Sequence, residues 1–349
     1  MINETSNTQI IFTQNVSKAF DGVPAVEKLN LDIPPGVIFG FIGPSGCGKT
    51  TSVRLLLGIY TADSGKIEVL DRTPKKFGRR ERVQIGYMPQ QFVLYPELTV
   101  WENLNFAASL YGVPLRRKKR LQELLELVEL TGQESKKVHN LSGGMQRRLS
   151  LAASIVHNPQ LLFLDEPTAG IDPVLRRKFW DYFQKLKEEG HTLFITTQYV
   201  SEAVHCDYVG LMVNGRLLMV ETPDNLRRRA LGGDIIHLYT SSFLTEGQFN
   251  ELRRQPFVLE GKVSRLRNQG VEIVVDEAST ILPLLLNWCQ EEQIPVESAS
   301  EYVPVFDDVF VELINQETAA EVERVAEETA VSVESAVVEE TAVKEAADG

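Results

Sequence analysis

The sequence predicts an α/β fold with a parallel sheet, and two observations carry that reading. First, the apolar run VIFGFIG, residues 37–43, ends in a glycine-rich turn and gives way to the helical stretch KTTSVRLLLGIY, residues 49–60. Strand, glycine turn and helix in that order is the context a phosphate-binding loop requires. Second, LLFLD (161–165) and HTLFITT (191–197) read as short buried strands separated by the helical segment VLRRKFWDYFQKLKEEG (174–190). Strands alternating with helices place parallel neighbours in one sheet.

The other elements follow along the chain. From Gln9 to Ile33, IIFTQNVSKAF and PAVEKLNLDI alternate and turn as strands do. From Leu98 to Asn158 the pattern is mostly helical: TVWENLNFAASLYG sets Trp101, Leu104, Ala108 and Tyr111 near one face, and LQELLELVEL repeats leucine at three and four. Near Leu231-Gly232-Gly233 the pattern changes. DIIHLYT, FVLEGKV and VEIVVDE read as strands, FLTEGQFNELRRQ and TILPLLLNWCQEEQ as helices, so residues 234–315 are expected to form a small α+β accessory domain. Residues 316–349 are built from Ala, Glu, Val and Thr, with AEETAV and VEETAV recurring and no aromatic residue. Such a segment has little to bury and is expected to be a disordered acidic tail.

Composition narrows the function. The 349 residues are 43% hydrophobic and 24% charged, an ordinary globular balance. Of the formal charge of −12, Glu317–Gly349 contribute ten acids against two bases, or −8, which leaves about −4 for the body. Without a basic stripe, no nucleic-acid partner is expected. Three widely spaced cysteines, Cys47, Cys206 and Cys289, fit a reducing compartment, and the five histidines show no metal-ligand spacing. No apolar run approaches the roughly 18–20 residues of a membrane-spanning helix, and the polar start MINETSNTQ has no signal-peptide core, so a soluble chain is expected.

Chemistry enters with GPSGCGKT. Gly43, Pro44, Ser45, Gly46, Cys47, Gly48, Lys49 and Thr50 match G-x-x-x-x-G-K-[ST], and Thr51 follows on the helix. The glycines let backbone N–H groups converge on phosphate oxygens at the positive end of a helix. Lys49 supplies a point charge to the β- and γ-phosphates, and the Thr50 hydroxyl is a Mg²⁺ ligand. A match of four fixed positions arises by chance in about one chain in a hundred of this length. Downstream, LLFLDEPTAGID (161–172) ends a buried strand in Asp165, which puts a carboxylate near the metal, and Glu166 follows where a base can polarise the attacking water. Alone, an apolar run ending in Asp-Glu is a solvated strand end; after a phosphate loop it is catalytic.

A third motif, LSGGMQRRLSLAASIVHNP (141–159), opens with Ser142, Gly143 and Gly144 before a helix whose apolar positions are Leu149, Ala152, Ala153 and Val156. Ser142 read alone is an N-cap, yet a helix start with free N–H groups is also an anion site. With these three motifs in this order, the chain resembles the ATP-binding-cassette family from about residue 8 to about 231; LSGGMQ is that family's signature. The resemblance implies a P-loop NTPase: a RecA-like core, a helical signature subdomain and an N-terminal antiparallel β subdomain. It implies ATP and Mg²⁺ as cofactors, and a composite site in which Ser142, Gly143 and Gly144 act on ATP held by a second cassette, either a second copy or a close paralogue. It also assigns Phe20, in VSKAFDG, to adenine stacking, where read alone the ring would be core. It assigns Gln90, in IGYMPQ, as the glutamine that reaches Mg²⁺, and Ala169–Asp172 as the loop that crosses to the opposite subunit.

One position departs from the family pattern. The switch histidine that contacts the γ-phosphate falls in ITTQYVSEA as Gln198, which donates a hydrogen bond but does not titrate near neutral pH. Because every other catalytic position of the family pattern is in place, Gln198 is expected to serve catalysis, and TTQ resembles the drug-resistance exporters of the daunorubicin type; the alternative is a hydrolysis-impaired regulatory subunit. QFVLYPELTVWENL, RRKFW, CDYVGLMVNGRLLMVETPDNL and the closing VFDDVFVELI (305–314) resemble the exporter branch that pairs with six-span membrane permeases. The resemblance therefore implies a peripheral ATPase on the cytoplasmic side of the cell membrane. A soluble ribosome-acting cassette protein would carry two cassettes, and a chromosome cassette would need a long coiled coil where only about 90 residues separate loop and signature. The basic run Arg116–Arg120 is read as the solvated start of a helix rather than a lipid contact.

Overall fold

A computed structural model describes residues 9–91 and 93–317. The described residues separate into two compact units that divide after residue 223.

The first unit is organised by one sheet. Its strands are β1 (Ile11–Phe20), β2 (Val23–Ile33), β3 (Ile38–Ile42), β4 (Ser64–Val69), β5 (Ile85–Met88), β6 (Leu161–Asp165), β7 (Thr192–Thr197), β8 (Tyr208–Val213) and β9 (Arg216–Glu221). They lie in the order β4-β1-β2-β9-β8-β3-β7-β6-β5. The segment β8-β3-β7-β6-β5 is parallel throughout, while β1, β2 and β4 pair antiparallel. Every side chain of β3, β6 and β7 is buried. A central parallel strand is covered on both faces, which is why these segments are unbroken apolar runs rather than alternating ones. Phe39, Phe41 and Phe163 surround Phe194 with ring centroids 5.2, 5.4 and 5.5 Å away. Each such ring contributes roughly 1.5–3 kcal/mol by burial.

The helices of this unit are α1 (Lys49–Leu56), the single turn α2 (Arg79–Arg82), α3 (Val100–Leu110), α4 (Lys118–Leu127), α5 (Gly143–Ile155) and α6 (Pro173–Glu188). α1 stops four residues short of the expected Tyr60, because Gly58 takes φ +70° and the amides of Gly58 and Ile59 turn back onto Leu55 and Arg54. Thr99 and Glu102 form a capping box at the start of α3. The buried face of α3 is Val100, Asn103, Leu104 and Ala108; Trp101 and Tyr111 are only half-buried. Asn103 is tolerated inside because it bonds the Tyr95 backbone and the Leu98 and Thr99 carbonyls. In the basic run, Arg117 is buried on Asn105, Ser109 and the Val113 carbonyl, so it ties the α3–α4 turn together rather than facing solvent.

In the second unit, α7 (Pro223–Leu231) precedes β10 (Asp234–Thr240), α8 (Glu246–Arg253), β11 (Val263–Arg265), β12 (Gly270–Val275), α9 (Ala278–Glu291) and β13 (Val296–Tyr302). The sheet is antiparallel in the order β11-β12-β10-β13. Ile236, Leu238, Ile273 and Val275 pack on Phe249 and Leu252 of α8 and Leu285 and Trp288 of α9. FVLEGKV is not a strand as expected: Glu260 and Gly261 adopt left-handed φ of +49° and +65°, and only Val263 onwards pairs. β13, VESASEY, is an edge strand too polar to stand out in the sequence. Residues 306–317 are helical, with Arg227 4.4 Å from the Phe306 ring and Gln316 Nε2 donating to the Ala230 carbonyl at 2.9 Å. Gln316 and Glu317, the first residues of the expected tail, thus belong to this helix; from residue 318 the tail lies outside the described residues.

Candidate nucleotide site

Three adjacent parallel strands bring the chemistry together. β7 lies between β3 and β6 and is in register with both, Ile42 opposite Thr197 and Asp165 opposite Thr196. The carboxyl ends of β3, β6 and β7 therefore present the glycine loop, the Asp165–Glu166 pair and Gln198 at one sheet edge. The crevice beyond the carboxyl ends of parallel strands is where open α/β sheets bind ligands.

The loop from Gly43 to Gly48 wraps the start of α1, whose N-cap is Gly48 with no side-chain cap. The first amides of α1 are left for a bound anion. Gly48 sits at φ +109°, and a Cβ there would lie 2.3 Å from the Ala25 carbonyl oxygen; at Gly43 a Cβ would lie 2.1 Å from the Met212 carbonyl oxygen. Both glycines are dictated by close backbone approach. Lys49 is buried, and its Nζ donates to the carbonyls of Gly43 at 2.8 Å and Pro44 at 2.9 Å. Cys47 is buried in the loop; burial pushes its thiol above the usual range, with Lys49 only partly opposing, so it is a protonated packing group. Pro44 and Ser45 are exposed, Gly46 takes φ +80°, and Thr51 is half-buried on α1.

Asp165 is fully buried. Its Oδ1 accepts from Thr50 Oγ1 at 3.2 Å and from Thr196 Oγ1. Its Oδ2 is buried with no hydrogen-bond partner among the described residues. An orphaned carboxylate oxygen next to a threonine hydroxyl is a hard oxygen donor set, which fits Mg²⁺. Glu166 takes a left-handed φ of +52°. That conformation is costly for a non-glycine residue and is held by a dense set of contacts. Its amide donates to the Thr196 carbonyl at 3.0 Å and to Thr196 Oγ1 at 3.1 Å. Its carbonyl accepts from the Ala169 amide at 3.2 Å and from the Arg147 guanidinium. Its side chain accepts from Gln90 Nε2 at 3.0 Å. Gln90 and Glu166, expected around the metal and the attacking water, are thus in direct contact.

Gln198 follows β7 directly and is exposed. The Gly43 amide donates to the neighbouring Thr197 carbonyl at 3.4 Å, which sets Gln198 beside the phosphate loop. Phe20 ends β1 and is 40% exposed, which leaves room for a base to stack on its ring. It meets the edge of Tyr60 at 5.3 Å, and Lys18 Nζ lies 5.4 Å from its centroid. Asp172 caps α6, its Oδ1 accepting from the Val174 and Leu175 amides, both at 3.0 Å.

The signature residues are not part of this cluster. Ser142 caps α5 by accepting from the Met145 amide at 3.3 Å, and Gly143 is exposed. Among the described residues no hydrogen bond links Ser142, Gly143 or Gly144 to residues 43–51.

Sequence reasoning missed Arg147, Thr196 and Tyr60. Arg147 is 8% exposed, and its guanidinium bonds the Glu166 carbonyl and, at 3.2 Å, the Gln90 carbonyl. Burial pulls its pKa below the usual guanidinium range, opposed by the charges of Glu166 and Asp165. The signal for it was present: Arg147 falls on the buried stripe of α5 with Ser150, Leu151 and Ser154, where a charge needs a partner.

A family model described as ABC transporter matches residues 26–169. The linearmycin resistance ATP-binding protein LnrL of Bacillus subtilis (strain 168) is 33% identical over 302 residues, covering 86% of this chain and 96% of that protein. The probable multidrug ABC transporter ATP-binding protein YbhF of Escherichia coli (strain K12) is 36% identical over 232 residues, 66% of this chain, and the chain spans 40% of that relative's length. A dimeric ATP-binding cassette solved in a post-hydrolysis state with ADP and phosphate superimposes with a TM-score of 0.57 at 26% identity, over 61% of this chain and 98% of that one.

Proposed function

The chain belongs to the ABC transporter family of ATP-binding proteins, and from that premise we propose that it is the ATP-hydrolysing subunit of an exporter, working as a cassette dimer on a separate membrane permease. The observation that carries the reading is the convergence of Lys49, Thr50, Asp165, Glu166 and Gln198 at the carboxyl ends of β3, β6 and β7. Lys49 and the loop amides hold the phosphates, and Phe20 stacks on the adenine. Thr50, Asp165 and Gln90 would hold Mg²⁺, which when bound neutralises phosphate charge. Glu166 orients the attacking water and accepts its proton at a carboxylate oxygen. Gln198 donates to the γ-phosphate.

The exporter reading is supported by LnrL, named for linearmycin resistance, which this chain matches over nearly its whole length. A permease partner is supported by apolar side chains left in solvent beside the Gln90 loop. Val93 is 76% and Leu110 69% exposed, at the rim of a cleft of about 490 Å³ that Tyr95 and Phe106 also line. Among the described residues no helix is long and apolar enough to cross a membrane, so the membrane path would be the partner's. The composite dimer is supported by the exposure of the signature at Ser142 and Gly143 and by the dimeric cassette whose fold this unit shares.

The test is turnover of Mg·ATP by the purified chain and its Glu166→Gln variant. The amide keeps size and hydrogen bonding but not the base, so the variant should bind ATP normally and hydrolyse it at least a hundredfold more slowly. A variant within about tenfold of wild type would remove Glu166 from the mechanism.

A further inference from the structure

We propose that Thr196 is a positioning residue that locks the two acids of the site into one register, coupling the metal-facing carboxylate to the water-facing one. The proposal rests on the reading of Asp165 and Glu166 given above. Thr196 is fully buried on β7, directly opposite Asp165 on β6. Its hydroxyl does two things at once. It donates its single proton to Asp165 Oδ1 and accepts the Glu166 amide proton at 3.1 Å. The result is a relay from the Glu166 N–H through Thr196 Oγ1 to Asp165 Oδ1.

Each end of that relay is under constraint. At Asp165, both hydroxyls that reach the carboxylate, from Thr50 and Thr196, go to Oδ1, and Oδ2 is kept without a partner among the described residues. The rotamer that turns Oδ2 free for a cation is therefore the one Thr196 holds. At Glu166, the main chain is left-handed at φ +52°, and two of the acceptors that hold its amide, the Thr196 carbonyl and hydroxyl, come from this one residue. Chains of hydrogen bonds polarise one another, so a hydroxyl that donates to the Asp165 carboxylate is a stronger acceptor for the Glu166 amide, and the two acids are coupled through one oxygen. A β-branched side chain suits the task because its χ1 is stiff in a strand.

The test uses the full chain and the pair Thr196→Ser and Thr196→Ala. Both lack the methyl group, so the difference between them isolates the hydroxyl. Two quantities are read: binding of a fluorescent ATP analogue as a function of Mg²⁺ concentration, and steady-state turnover. Serine should stay within about threefold of wild type in both. Alanine should raise the Mg²⁺ concentration for half-maximal binding roughly three- to tenfold and lower kcat about tenfold to a hundredfold. Nucleotide binding in EDTA should be the same in all three proteins. An alanine chain that matches serine in both quantities would reduce Thr196 to a packing residue. Should the alanine chain fail to fold, Thr196→Val fills the space without the hydroxyl and is read against the wild type, from which it differs only in that group; a valine chain that matches the wild type in both quantities would count against the proposal in the same way. A wild-type chain that binds no Mg·ATP would instead overturn the functional reading beneath the proposal.

Discussion

At the scale of single residues, the site shows how one exposed side chain can decide an interpretation. Gln198 stands at the carboxyl end of β7, beside the loop whose Gly43 amide bonds the Thr197 carbonyl. On the proposed reading its amide donates to a phosphate oxygen, a hydrogen bond to a charged group worth about 1.5–3 kcal/mol. Gln198→Ala should therefore slow turnover tenfold to a hundredfold while ATP affinity changes much less. Gln198→His should remain active and add an inflection near pH 6.5 that the wild type lacks. Turnover of the three proteins from pH 6 to 9 checks this; unchanged activity in the alanine variant would make Gln198 a bystander. The residues that were legible in the sequence, Lys49, Thr50, Asp165 and Glu166, are those whose spacing is set by consecutive backbone geometry. Thr196 and Arg147 were not, because their importance comes from strand register and helix packing between segments far apart in sequence.

Among the elements, α5 is the one with two jobs. Its capped N-terminus carries Ser142 and Gly143 into solvent, while its second turn sends Arg147 to the carbonyls of Glu166 and Gln90. Arg147→Met keeps the buried stem but leaves both carbonyls short of a donor, and should cost about 1–3 kcal/mol of stability. It should also lower kcat roughly tenfold, and Arg147→Lys should rescue little because one ammonium does not reproduce the guanidinium fork. Melting temperature and turnover on the same preparations give both numbers.

The end of the same segment holds a different sensitivity. His157 stacks on Tyr111 with centroids 3.6 Å apart, and its Nε2 lies 3.1 Å from the Ile85 carbonyl. Burial lowers its pKa from 6.5 to about 4. A folded-state pKa below the unfolded one means the neutral ring favours folding: the contribution is complete above pH 6.5 and is lost as pH falls toward 4. Solvent reaching the half-buried ring limits the loss to about 1–2 kcal/mol. His157→Gln should flatten the melting-temperature profile over that window, and an equally steep profile would place the acid sensitivity elsewhere. The start of α5 was legible because Ser142 reads as its cap. Element boundaries were misread at Tyr60 and in FVLEGKV, where glycine and left-handed residues override an apolar pattern.

For the molecule as a whole, the order of motifs along the chain made the parallel core legible, with the strands whose ends carry Lys49, Asp165 and Gln198. What the pattern could not show was the sheet order, which sets β7 between β3 and β6 and so makes neighbours of residues about 150 positions apart, such as Gly43 and Thr197. The two-unit division places α7 with the second unit, although its polar sequence, PDNLRRRAL, reads as a continuation of the cassette. If the site hydrolyses ATP only when a second chain supplies Ser142, Gly143 and Gly144, the mass of the Glu166→Gln chain in solution with Mg·ATP reports it. A slow-turnover variant should accumulate the closed pair, at about twice the 39.2 kDa of one chain. The pair should be absent with ADP, and absent when Lys49→Ala or Ser142→Arg is added. A Glu166→Gln chain that stays at the mass of one copy while binding ATP, or that pairs just as well with Ser142 replaced, would contradict the account.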